Sequence, residues 1–159
     1  MSQPLLLRLE MQELLDRYVA AIDDDRLEEW PGFFTEDCLY EIIPRENAEA
    51  GLPAPILYCD SNAMLRDRVM SLRRANIYER PMYRHLLSGL SIGPPGGGSE
   101  VSMRSNYVVV NTSQEGSSSI YQAGVYEDRV VRTEAGWRFR QKRVVYDTAR
   151  VATLLAYPI

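Results

Sequence analysis

IYERPMYRHLLSG, residues 77–89, is where the chain changes its hydrophobic period. It contains the only histidine, His85, with Tyr78, Arg80, Pro81, Tyr83 and Arg84 around it. Upstream, apolar residues recur every three or four positions. Leu7, Met11, Leu14, Leu15, Tyr18, Val19 and Ile22 share one face of a helix predicted over Leu5–Asp23. The run Asp23-Asp24-Asp25 ends that helix, and Asp24 or Asp25 is predicted to cap a short second helix, Arg26–Phe34, with Pro31 near its middle. CLYEII (38–43) reads as a strand bounded by Pro44, and residues 44–60 as a long loop. Ser61 caps a third helix over Asn62–Asn76, with Leu65, Val69 and Leu72 on its buried face.

Downstream the period falls to two. RHLLSGLSI (84–92) is a strand stopped by GPPGGG, and Val101, Met103, Ser105, Tyr107 and Val109 alternate along the next. SSSIYQAGVYEDRVVR (117–132) is long for one strand, and Gly124 marks a bulge or bend in it. TEAG (133–136) is a hairpin turn, with Gly136 where φ is positive. In the last strand, simple alternation puts Trp137 and Phe139 on one face and Arg138, Arg140 and Lys142 on the other. Helices first and long antiparallel strands after predict an α+β fold: one domain over residues 1–159, with helices packed on a strongly curved sheet. Such a sheet, closed on one side, encloses a conical pocket.

The chain has 159 residues, 45% hydrophobic and 25% charged, which is ordinary globular composition. No apolar run approaches the ~20 residues of a membrane span. The leucine-rich start lacks a basic segment and a cleavage site, so a cytoplasmic protein is expected. One histidine and two distant cysteines, Cys38 and Cys59, cannot assemble a zinc or iron–sulfur site, so no cofactor is expected in this chain. GPPGGG lacks the Lys-Ser/Thr and the strand-to-helix setting of a phosphate loop. Net charge is −4, unevenly spread: residues 1–60 carry 14 acidic and 4 basic side chains, residues 129–150 seven basic and two acidic. The overall acidity argues against nucleic acid, and the basic strand suits an acidic partner or a neighbouring subunit.

Three segments carry a resemblance: RYVAAIDDDRLEEWPGFFTEDCLYEI (17–42), AMLRDRVMSLRRANIYERPMYRHLLSG (63–89) and GWRFRQKRVVYDTARVATLLAYPI (136–159). Together they resemble the small (β) subunit of bacterial aromatic-ring-hydroxylating dioxygenases, a cone of the nuclear transport factor 2-like fold. RENAEAGLP (45–53) and the tail LLAYPI are similar to the branch acting on aromatic acids such as anthranilate, salicylate or terephthalate. The resemblance implies a non-catalytic β chain that stabilises an assembly of three α and three β subunits, and that trimerises. It places the Rieske 2Fe–2S cluster and the mononuclear iron in the α partner.

The same cone also hosts dehydratases and isomerases. On that alternative His85 is a general base, with Asp24 from the run Asp23–Asp25 (or Asp37) as its pocket acid, and tyrosines 18, 40, 58, 107 and 121 supply hydroxyls. The competing reading makes His85 a structural or interface residue. The Tyr- and Arg-rich junction then supplies subunit-interface candidates Tyr78, Arg80, Tyr83, Arg84 and His85, joined by Arg140, Arg143 and Tyr146 of the basic strand.

Overall fold

The computed structural model describes residues 2–75, 80–94, 99–148 and 156–159. Helix α1 (Gln3–Asp23) leads through a 3-10 turn (Leu27–Phe33) into β1 (Phe34–Pro44). Then follow α2 (Arg45–Glu49), β2 (Leu57–Cys59), α3 (Asn62–Arg74) and four long strands. These are β3 (Met82–Ile92), β4 (Glu100–Thr112), β5 (Ser118–Thr133) and β6 (Gly136–Tyr146). The six strands form one sheet, ordered β2-β1-β6-β5-β4-β3, in which only the β1–β6 pair is parallel. The architecture is the expected α+β cone. No helix among the described residues is long and apolar enough to cross a membrane.

α1 buries Met11, Leu14, Leu15, Tyr18, Val19 and Ile22, as its periodicity requires. Ser61 caps α3, its hydroxyl accepting from the Met64 amide at 3.3 Å. Gly136 takes φ +100° in the β5–β6 turn. Other expectations need correction. The second helix is a 3-10 turn with no side-chain cap, because the aspartates before it have other partners and Pro31 removes a donor. β1 begins at Phe34, four residues early, because Phe34 already pairs with Phe139 of β6. The predicted loop 44–60 contains α2 and β2. Part of the GPPGGG stop lies outside the described residues.

Bulges fall where alternation could not show them. Gly89, at φ +63°, sits in a register shift of β3, Tyr121 is the extra residue of β5, and Arg140 is the extra residue of β6. Gly124 keeps its register with both neighbouring strands, without a bulge, and a Cβ there would lie 2.0 Å from the carbonyl oxygen of Val145. The Arg140 bulge reverses the parity of β6, so Lys142 joins Phe139 on the inner face instead of Arg138 on the outer.

The cone is filled by aromatic rings. Tyr18 packs edge-on against Phe33, Phe34, Tyr126 and Phe139, and Trp30 against Phe34 and Tyr40. The Trp30 indole donates to the Tyr18 hydroxyl at 3.3 Å, and Tyr18 donates to the Ile159 carbonyl at 2.9 Å. Tyr40 accepts from the Ile159 amide at 2.9 Å and donates to its carbonyl at 3.2 Å. The tail is thereby stitched into the core, with Ile159 fully buried.

Candidate functional site

Each aspartate of the acidic run has its own role. Asp23 falls four residues after Val19, on the buried face of α1, and its side chain is 5% exposed. One carboxylate oxygen accepts from the His85 backbone amide at 2.9 Å, and the other faces His85 Nδ1 at 2.5 Å. Asp24, the expected acid of the alternative, points outward to Arg26 instead. Asp25, held at φ +58°, pairs with Arg73 at 2.9 Å and Arg80 at 3.2 Å. Arg73 also grips Glu28 at 2.6 Å, and that bond is the main reason the Glu28 carboxyl drops to about 2. The run thus joins α1 to α3 and β3 rather than ending in solvent.

The Asp23 carboxylate orients the ring through Nδ1 and leaves Nε2 as the uncommitted ring nitrogen. That Nε2 is buried and has no hydrogen-bond partner. Geometrically this is an oriented imidazole. Mechanically it ties the end of α1 to the middle of β3.

A second buried pair lies deeper. Lys142 Nζ is 3.1 and 3.3 Å from the two carboxylate oxygens of Asp128, and both side chains are essentially inaccessible. The ammonium also sits 3.5 Å from the Tyr126 ring centre, 4.5 Å from Tyr18 and 4.6 Å from Phe139. Exclusion of water pushes the Asp128 carboxyl up to about 6 and the Lys142 amine down, and the attraction between the two opposes both shifts. Sequence reading missed this pair, because a bulge leaves no trace in side-chain alternation.

The interface candidates divide. Tyr83, His85 and Tyr146 are buried. Arg80, Arg84 and Arg140 are exposed, and Tyr78 lies outside the described residues. Arg143 bridges Glu41 at 2.7 Å and Glu127 at 3.5 Å, and Arg140 reaches Asp37 at 3.2 Å. Parallel pairing of β1 with β6 therefore neutralises part of the charge asymmetry within the chain. Between β3 and β5 the outer face is apolar: Met82, Leu86 and Ile120 are 47%, 54% and 68% exposed. Arg84 projects among them, its register partner Val110 lying opposite Ile120.

The SnoaL-like domain family matches residues 3–143. The anthranilate 1,2-dioxygenase small subunit of Burkholderia cepacia is 57% identical over 150 residues, covering 94% of this chain and 92% of that protein. This chain belongs to the small subunits of aromatic-ring-hydroxylating dioxygenases. A second relative of this small subunit is the terephthalate 1,2-dioxygenase terminal oxygenase component subunit beta 2 of Comamonas sp. It is 37% identical over 142 residues, covering 89% of this chain and 92% of that protein. A crystal structure from Novosphingobium aromaticivorans superposes on the small subunit with TM-score 0.90 at 42% identity, covering 99% of this chain and 100% of that one. It is the beta subunit of a protein assigned as an aromatic-ring-hydroxylating dioxygenase.

Family membership raises the question of iron. The donors described in the small subunit do not fit it. His85, the one imidazole in the sequence, has Nδ1 committed to Asp23. Burial raises the Cys38 thiol to about 11 and the Cys59 thiol above its usual value, whereas cluster ligation needs thiolates. Among the described residues no three His, Cys, Asp or Glu side chains are grouped to hold a metal.

Proposed function

We propose that this chain is the structural small subunit of an oxygenase acting on an aromatic carboxylate of the anthranilate type. It folds as one domain over residues 1–159 and works in the cytoplasm. Three copies assemble with three large subunits, which hold the Rieske cluster and the mononuclear iron. The observation that carries this is the 57% identity, over nearly the whole chain, to an anthranilate 1,2-dioxygenase small subunit. Terephthalate dioxygenase subunits at 37% identity support the aromatic-acid class while leaving anthranilate the better match. The aromatic filling of the cone and the poor iron donor set are consistent with a scaffolding role. The exposed outer strip of Met82, Leu86 and Ile120, with Arg84 at its centre, is the face we assign to subunit contact.

The reading is tested by reconstitution. A large subunit of the anthranilate 1,2-dioxygenase type, a reductase and NADH are combined with and without the small subunit, and oxygen uptake is followed. Uptake with anthranilate is expected only when both subunits are present, and terephthalate should support much slower turnover. Turnover by the small subunit with reductase alone would contradict the reading. Faster turnover of terephthalate would overturn the substrate assignment only.

A further inference from the structure

The outer strip of Met82, Leu86 and Ile120 carries one charge, Arg84, and that charge is unpaired. No carboxylate among the described residues meets Arg84, whereas Arg80, Arg140 and Arg143 each have one. An exposed apolar strip around a spare cation has the makings of an interface core. Copies packed strip to strip, as a twofold dimer requires, would set Arg84 against Arg84. The strip therefore suits a different surface, one that is both apolar and acidic.

The same side of the sheet supplies one. Tyr58 lies opposite Glu41, which is itself opposite Arg143, so it stands on the outer face while its neighbours Leu57 and Cys59 are buried. Leu52, Ile56 and Tyr58 are each about half exposed at this corner. α2 stands beside them on the outer face, where Ala48 and Glu49 line a dent with Val125 and Val145. Arg45, the one cation of α2, is spent on Asp147. Glu46 and Glu49 are left exposed, with no ion-pair partner among the described residues.

A second apolar and acidic surface, Leu5, Leu9, Glu13 and Asp16 on α1, fits less well. The opposite face of α1 packs Tyr18 against Tyr126 and Phe139 on the inner wall, so these side chains point away from the outer strip. Patches on opposite sides of a body string copies into a filament, whereas two patches on one side can close a ring. The corner and the strip share the outer side of one sheet, toward its β2 and β3 ends. We propose that the outer strip of one copy receives the α2–β2 corner of the next, Arg84 facing Glu49, so that three copies close head to tail. The proposal rests on the subunit reading above and names the partner of its contact face: a second copy of this chain.

Sedimentation of the full chain across concentration, with and without a large subunit of the anthranilate 1,2-dioxygenase type, is the test. Arg84→Glu and Glu49→Arg should each raise the concentration of half-assembly about tenfold or more, by setting like charges face to face. The chain carrying both should return to within about threefold of wild type, because the pair is restored with its signs exchanged. Both positions are exposed, and an arginine at the C-terminal end of α2 suits that helix, so the fold should hold. Should either variant misfold, cysteines carry the comparison: Leu52→Cys with Leu86→Cys in one chain should give a covalent trimer on mild oxidation, since Cys38 and Cys59 are buried. No rescue in the charge-exchanged chain would overturn the proposal. So would a disulfide dimer from Leu86→Cys alone. Loss of large-subunit binding by Arg84→Glu with self-assembly unchanged would also overturn it, and would leave the subunit role standing. A wild-type chain that stays monomeric both alone and with the large subunit would remove the subunit reading itself, and this inference with it.

Discussion

Lys142→Met is expected to destabilise the fold by about 3–5 kcal/mol, the cost of leaving one member of a buried ion pair behind. Methionine matches the length of the lysine stem, so little packing is lost. What remains is the Asp128 carboxyl, enclosed on all sides and deprived of the ammonium that both its oxygens contact. Asp128→Leu should be similarly harmful, since it strands the ammonium among Tyr18, Tyr126 and Phe139, whose ring faces compensate only partly. The double variant should recover most of the loss, because two apolar side chains replace two charges that water no longer solvates. Urea unfolding of the four proteins closes the cycle. Two small single effects that simply add would show that the pair is not coupled as the distances imply.

Gly124→Ala should be nearly as damaging, costing about 3 kcal/mol or more, at the upper end of overpacking effects. The new methyl would lie 2.0 Å from the Val145 carbonyl oxygen and 2.8 Å from the Tyr146 Cα. Both are backbone atoms of β6, so no side chain can rotate away. Strands β5 and β6 must separate where Gly124 pairs with Tyr146, and the cone must open. Gly116 is the control, since a Cβ there meets nothing within 4 Å, though its φ of +86° carries its own moderate strain. Thermal unfolding should rank Gly124→Ala far below Gly116→Ala. Equal midpoints would mean that the sheet yields more easily than this geometry allows.

Much of the fold was legible because local signals agreed with it. The α1 stripe, the Ser61 cap and the Gly136 turn each stand where residue chemistry demands. The site was less legible, for identifiable reasons. Asp23 could have been chosen over Asp24, because it follows Val19 by four residues and shares the apolar face. Lys142 could not have been found: the Arg140 bulge sends it inward, and the sequence gives no sign of a bulge at an arginine. The charge asymmetry between the two ends of the chain suggested contact between subunits. Part of it is spent inside the molecule, where parallel pairing of β1 with β6 sets Asp37 and Glu41 beside Arg140 and Arg143. The role of the tail was not legible in the sequence, since its partners Tyr18 and Tyr40 lie more than a hundred residues away.

On the proposed function, this chain is a scaffold that works only in company with a large subunit. Sedimentation velocity of the small subunit, alone and co-expressed with a large subunit of the anthranilate 1,2-dioxygenase type, tests this most directly. An oligomer is expected alone and a single species of three plus three together, with Leu86→Asp weakening assembly while leaving the unfolding midpoint of the chain near that of wild type. A chain that stays monomeric at high concentration and sediments apart from the large subunit would contradict it.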